Sequence, residues 1–299
     1  MAKTGMVAGR IIRGIGGFYY LDTGDEVYAC RARGIFRKRG LKPLPGDYAK
    51  AEVIDPADRE ASITEICPRR NALIRPAAAN VDQAVLFFSL HDPEPDPLLL
   101  DRFLILMERQ QVPVVLCFNK QDLGTEEELR YWRRIYEPCT GRALTLSASG
   151  GEGTEEVRAL LAGKTTILAG PSGTGKSTLT NAVQSSVTME TGEISRKLKR
   201  GRHTTRRAEL IRLDADTWIC DTPGFTALET PFMEKEELQH CFPEFRPYLG
   251  SCRFQGCAHM AEPDCRVKEA LSRGEISEER YKNYRFMYQE LADMEKRRY

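Results

Sequence analysis

Residues 170–177 read Gly170-Pro171-Ser172-Gly173-Thr174-Gly175-Lys176-Ser177. This G-x4-G-K-S string stands between an apolar β-type run, TTILA, and a stretch of helical periodicity, which is the setting a phosphate-binding P-loop requires. No other feature limits the fold as strongly, because strand, glycine-rich turn and helix must follow in that order. The glycines let successive backbone N–H groups face one phosphate, and the helix N-terminus adds its dipole. Lys176 is then expected to reach the β- and γ-phosphates, and the Ser177 hydroxyl to ligate Mg²⁺. Thr178, next in the same turn, completes the expected phosphate-side set. The bland alternative is a ligand-free Gly-rich turn, against which strand and helix in register both argue.

Three further strings extend the reading. Asp221-Thr222-Pro223-Gly224 closes the apolar run TWIC; an acid there is expected to hold Mg²⁺, through water, and Gly224 to sense the γ-phosphate. Asn119-Lys120-Gln121-Asp122 follows PVVLCF and has the N-K-x-D form of a guanine-specificity motif. The Asp122 carboxylate can accept from guanine N1–H and its 2-amino group. Adenine offers no such donor pair and would leave the carboxylate unpaired. Lys120 is expected to pack along the base, with Asn119 steadying neighbouring loops. Ser147-Ala148-Ser149 ends the next apolar run and matches the loop that supports guanine O6. Alone the triplet carries little, since loops are rich in Ser and Ala.

The order of these strings is informative. A GTPase normally runs P-loop, DxxG, NKxD and SA loop, whereas here NKQD and SAS come first. A circular permutation accounts for this without changing the fold, since domain termini often lie close together. The helical stretch at 153–162 then leads through Gly163 into the P-loop strand, and the second switch leads directly into the C-terminal segment.

A chain of 299 residues is long enough for two or three domains. Residues 1–68 read as five short strands (GRIIRG, GFYYLD, EVYACRARG, DYAKAEVID, ASITEI) broken by Gly- and Pro-rich turns. An OB-like β-barrel is the first choice, and pattern alone does not separate it from an SH3-like barrel. Residues 69–228 alternate strands (84–89, 113–119, 143–147, 165–170) with helices (97–111, 125–136, 153–162, 175–184), then a hairpin at 209–221: an α/β domain with a parallel sheet. Residues 229–299 turn helical. The last helix, 277–297, carries Tyr281, Tyr284, Tyr288 and Leu291 on one stripe, read as a packing face. No run of about eighteen apolar residues and no apolar leader is present, so a cytoplasmic protein with no membrane partner is expected.

Cys252, Cys257, His259 and Cys265 lie within a short segment, although the other six cysteines are scattered. Three thiols and an imidazole make a closed structural zinc shell with no open position for catalysis. The alternative is coincidental free thiols. His240 and Cys241 are poorer candidates and are read as helix residues; His91 is read as facing solvent. Formal charge is +1, from 44 basic and 43 acidic residues. That balance hides two acid-free basic stretches. One holds Arg31, Arg33, Arg37, Lys38, Arg39 and Lys42, with Phe36 among them, on the barrel. The other runs from Arg196 to Arg207, in the first-switch position. Either is a solvated loop or an RNA contact.

Barrel, permuted motif order and cysteine cluster together resemble the bacterial ribosome small-subunit-dependent GTPase A family, over essentially the whole chain. The most specific pieces are NKQD, GPSGTGKS, GRHTT, DTPGF and CRFQGCAH…EPDC. The resemblance implies a GTPase that binds GTP and GDP, carries one structural Zn²⁺ and uses Mg²⁺ with GTP. It implies as partners the small ribosomal subunit, its rRNA and other assembly factors, for a protein acting as a monomer in late maturation. Gly201-Arg202-His203-Thr204-Thr205 matches the family's switch motif, so Thr204 or Thr205 is expected at Mg²⁺ and the γ-phosphate. Phe225 follows DTPG where many GTPases carry a water-orienting Gln nearby, which points to slow hydrolysis without a partner. His203 is the candidate for positioning the water, against a structural or RNA-contacting role. The rival reading is a GTP-gated RNA-binding adaptor whose hydrolysis is incidental; NKQD argues against a P-loop ATPase or kinase.

Overall fold

The computed structural model describes residues 5–191, 208–221 and 228–297. The chain opens with β1 (Met6–Ile15), β2 (Phe18–Asp22), β3 (Val27–Ala32), helix α1 (Gly34–Lys38), β4 (Tyr48–Asp55) and β5 (Glu60–Ile66). A two-residue ladder follows, β6 (Ala72–Leu73) with β7 (Ala78–Ala79). Then come β8 (Gln83–Ser89), α2 (Pro97–Arg109), β9 (Val114–Asn119), α3 (Glu126–Thr140), β10 (Ala143–Thr145), α4 (Thr154–Leu161), β11 (Thr165–Ala169), α5 (Lys176–Thr191), β12 (Glu209–Arg212) and β13 (Trp218–Asp221). Two 3₁₀ segments, Lys235–Cys241 and Pro243–Tyr248, precede α6 (Arg266–Ser272) and α7 (Glu278–Lys296). Among the described residues no helix is long and apolar enough to cross a membrane.

The backbone divides into two compact units. The first joins residues 1–84 to 154–169 and 177–224. Its barrel is closed in the order β1-β2-β3-β5-β4. The parallel β3–β5 pairing, Cys30 opposite Ala61, makes it OB-like rather than a simple meander. Strand β4 alternates exposed and buried residues as a one-sided strand should, and Ala49, Ala51 and Val53 point inward. Ile11, Leu21, Cys30 and Ile63 complete the filling. Phe36, which the sequence places within the basic stretch read as either an RNA contact or a solvated loop, is buried in this core. Residues 34–38 coil into α1, which turns the ring inward as a plug and leaves Arg37, Lys38 and Arg39 outside. Sinking one such ring contributes about 1.5–3 kcal/mol. In the same unit β11 pairs β13 in parallel and β12 pairs β13 antiparallel.

The second unit joins residues 85–153 to 170–176 and 225–299. Strand β8 is buried along its whole length, as a parallel strand covered on both faces must be. Local chemistry fixes the helix starts. Asp96 accepts from the N–H groups of Leu98 and Leu99 ahead of α2, with Pro97 at its first position. Thr125 and Glu128 form a reciprocal capping box on α3. That helix runs past Pro138 to Thr140, beyond the expected end at 136, and stops at Gly141 in the left-handed region. At the C-terminus, Phe242, Phe245, Tyr284, Met287 and Leu291 share one core with Ile105 of α2. The tyrosine stripe packs as expected.

Candidate functional site

In the second unit the chain at the end of β9 meets the P-loop through one side chain. Asn119 is buried; its Nδ2 donates to Thr174 O at 2.8 Å, and its Oδ1 accepts from Ala148 N at 2.8 Å. One amide thus ties the P-loop to the Ser147–Ser149 loop. The fit leaves no slack: a Cβ on Gly175, at φ +95°, would stand 2.3 Å from Asn119 Nδ2. A Cβ on Gly170, at φ +151°, would stand 2.0 Å from Phe87 O. Both positions need glycine for close approach as well as for backbone conformation.

Within the P-loop, Thr174 Oγ1 donates to Pro171 O at 3.0 Å and Lys176 Nζ donates to Gly170 O at 2.8 Å. Lys176 is buried, so its ammonium is held close to the loop's own carbonyls. Ser172 and Gly173 are exposed at the rim. Lys120 takes a left-handed conformation, φ 60°, and its Nζ donates to Asp92 O. The 3₁₀ turn Gln121–Leu123 follows, and Asp122 is exposed on it. Gln121 N donates to Leu146 O at 3.1 Å and Gln121 Nε2 donates to Glu152 at 2.8 Å. Ser147 is buried, and its Oγ accepts from Gly150 N at 3.2 Å.

The first unit carries the rest. Ser177 and Thr178 are exposed on the first turn of α5. Asp221 ends β13, buried, in register with Leu168 of β11 and Glu209 of β12. His203, Thr204, Thr205 and Gly224 lie outside the described residues, as do Phe225 and the basic stretch from Arg196 to Arg207.

The loop after β8 carries no motif, yet it borders this site. Ser89 Oγ donates to Pro93 O at 2.7 Å, and a Cβ on Gly173 would lie 3.6 Å from Pro93 Cδ. His91, expected to face solvent, is half-buried. Its Nδ1 lies 2.8 Å from Glu94 and its Nε2 3.4 Å from Glu128, so it bridges the loop to the cap of α3. The hydrogen bond to Glu94 raises its pKa, burial opposes it, and Glu128 adds to the rise.

Cys252, Cys257, His259 and Cys265 bring their donor atoms within 4.8 Å of one another. Cys252 Sγ is 3.9 Å from Cys265 Sγ and 3.6 Å from His259 Nδ1, and Cys265 Sγ is 3.3 Å from that nitrogen. Such separations suit the edges of a tetrahedron with metal–sulfur bonds of about 2.3 Å. Burial pushes the Cys257 thiol up to about 12, so thiolates here need a cation beside them. His259 Nε2 lies 2.8 Å from Gln239 Oε1, which leaves Nδ1 to face the sulfurs. Tyr281 and Tyr284 of α7 donate to His259 O at 2.6 Å and Ala258 O at 2.8 Å. Glu262 accepts from Ala258 N and Met260 N, both at 2.8 Å. The residues fit a closed Cys₃His metal site. Cys241 is buried in the neighbouring core, outside the cluster. Nothing in the sequence pattern singles out Gln239; only the fold brings it to the imidazole.

Comparison with known proteins points to one family. The family model for RsgA GTPase matches residues 66–231, and that for the RsgA N-terminal domain matches residues 8–60. A protein named small ribosomal subunit biogenesis GTPase RsgA, from Agathobacter rectalis, is 48% identical over 97% of this chain and 100% of its own length. One of the same name from Caldanaerobacter subterraneus is 45% identical, covering 98% of each chain. The crystal structure of YjeQ from Thermotoga maritima matches with a TM-score of 0.78 at 35% identity, over 96% of this chain and 99% of that one. That of YloQ, described as a circularly permuted GTPase, matches with a TM-score of 0.75 at 36% identity, over 97% and 96%. With the permuted motifs, the closed barrel and the cysteine cluster all in one chain, it belongs to the RsgA GTPase family and is a GTP hydrolase.

Proposed function

We propose that this GTPase acts in late maturation of the small ribosomal subunit, binding rRNA and hydrolysing GTP slowly until the subunit stimulates it. The observation that carries the reading is the Asn119 bridge. With one side chain holding the P-loop against the 147–149 loop, both are set to meet a single ligand. The subunit enters from the names its relatives carry.

The residue roles follow from chemistry. Gly170–Thr178 take the phosphates, with Lys176 on the β- and γ-groups and Ser177 on Mg²⁺. Asp221 holds Mg²⁺ through water, and Gly224 senses the γ-phosphate. Asp122 reads guanine, Lys120 and Gln121 flank the base, and Ser147 and Ala148 support O6. His203 positions the attacking water, and Thr204 or Thr205 closes on the metal. One Zn²⁺ occupies Cys252, Cys257, His259 and Cys265 as a structural ion. Residues 1–68 and the basic stretch from Arg196 to Arg207 contact RNA, 69–228 turn over the nucleotide, and 229–299 form the zinc-bound domain. The protein works as a cytoplasmic monomer, alongside other assembly factors.

The test is GTP turnover with and without purified small subunits, with ATP as control. Stimulation that vanishes in Lys176→Ala supports the reading. Tight GTP-dependent subunit binding with no stimulation would instead make the chain an RNA-binding adaptor.

A further inference from the structure

In the first unit, strand β1 of the barrel lies along β12, and two arginines on it meet the strands that end at the nucleotide-side residues. Arg10 is buried between two rings, its guanidinium carbon 5.0 Å from the centre of Tyr48 and 5.1 Å from that of Trp218. It also donates to Thr165 Oγ1 at 2.7 Å. Thr165 and Trp218 are register partners at the start of β11 and β13. Arg10 therefore grips both strands at the end remote from Gly170 and Asp221.

Three residues further along β1, Arg13 pairs with Glu209 at 3.2 Å and lies over the Tyr20 ring of β2 at 4.3 Å. Glu209 stands opposite Asp221 in the β12–β13 ladder. In sequence it follows Arg207, the last cation of the basic stretch, after a single residue. The two contacts differ in kind. The Arg10 contact is buried and closed by rings, whereas the Arg13–Glu209 pair is about one-third exposed, and Arg13 Nε is buried with no hydrogen-bond partner among the described residues. A half-satisfied, partly wet ion pair is held weakly and exchanges partners at low cost. A rigid anchor at one end and an exchangeable contact at the other make a lever.

We propose that the Arg13–Glu209 ion pair couples the barrel to the nucleotide side: it transmits the RNA-bound state of the barrel to Asp221, with Arg10 as the fixed point, and acts only on the stimulated reaction. This rests on the proposed stimulation by the small subunit. Both residues act through the β12–β13 ladder, where Glu209 is the register partner of Asp221.

The experiment compares wild type, Arg13→Gln, Glu209→Gln and the charge swap Arg13→Glu/Glu209→Arg. Each is measured for turnover alone, turnover with saturating small subunits, and subunit affinity with a non-hydrolysable GTP analogue. The expected result is unchanged turnover alone, with stimulation reduced about fivefold or more in each single variant, at the low end of allosteric coupling. The swap should regain most of the stimulation, and a merely structural role would instead lower turnover alone in the single variants as well. Single variants with full stimulation, or a swap no better than they are, would overturn the lever. A wild-type chain that subunits do not stimulate overturns the functional reading and the lever with it, whereas a stimulated wild type beside unaffected variants overturns the lever alone.

Discussion

Arg280 of α7 and Asp101 of α2 form an ion pair of 2.5 Å with both side chains essentially sealed from solvent. Glu244 takes a second bond from the guanidinium at 2.7 Å, Asn283 Nδ2 donates to Asp101 at 2.7 Å, and the Phe242 ring lies 4.5 Å below the charge. The network ties the last helix to α2 and to the 243–248 turn. Removing only the cation strands two acids in the interior. Arg280→Ala should therefore cost about 3–5 kcal/mol in urea unfolding. Arg280→Lys should recover little of that, because an ammonium lacks the planar fork that serves both carboxylates. A loss below about 1 kcal/mol in Arg280→Ala would show that water reaches the site.

Gln239 offers a cleaner test of the metal site than its ligands do. Gln239 Oε1 accepts from His259 Nε2 and so fixes the ring orientation. Gln239→Ala should weaken zinc about 10–100-fold in a chelator competition while leaving one zinc per chain at excess metal. Full chelation should melt the loops that Tyr281 and Tyr284 hold, seen as lost protection of the Ala258 and Met260 amides in hydrogen exchange.

The parts of this site that sequence made legible are those whose spacing is local. The P-loop, NKQD and the cysteine cluster each need their residues a few positions apart, so the string itself carries the geometry. The contacts that organise them are long-range and left no pattern. Gln239 reaches His259 from a 3₁₀ turn, and Asn119 reaches Thr174 across a loop closure that motif order alone only implies. The barrel type rested on the β3–β5 pairing, which no strand-by-strand reading encodes. The inward turn of Phe36 was hidden for a related reason. Amid six arginines and lysines its ring looks like part of a basic surface, and only the short helix α1 turns it inward.

Asn119 predicts a loss that is specific in form. Asn119→Ala removes both the donor to Thr174 O and the acceptor for Ala148 N, leaving buried groups unpaired. That should cost about 2 kcal/mol in GDP and GTP binding, roughly thirtyfold in Kd. Asn119→Asp keeps the acceptor but turns a carboxylate toward the Thr174 carbonyl, so it should bind no better than the alanine variant. Nucleotide titration by fluorescence checks both. An Asp variant close to wild type would mean that the P-loop half of the bridge contributes nothing.

His91 gives the pH dependence. Glu94 and Glu128 are the charged groups that face it, and bonding to Glu94 raises its pKa in the folded protein despite partial burial. A raised histidine pKa stabilises the fold fully below the unfolded value of about 6.5, and that contribution is lost as pH climbs through the higher folded value. The loop it ties down also supplies Asp92 O to Lys120 and abuts Gly173 through Pro93. Wild type should therefore lead His91→Gln in thermal midpoint most clearly below about pH 6.5, with the gap closing as pH climbs through the raised folded value. Guanine nucleotide affinity should follow the same curve, because the bridged loop abuts the P-loop and holds Lys120. A gap that widened with pH would mean that the neutral ring, and not the imidazolium, holds the loop.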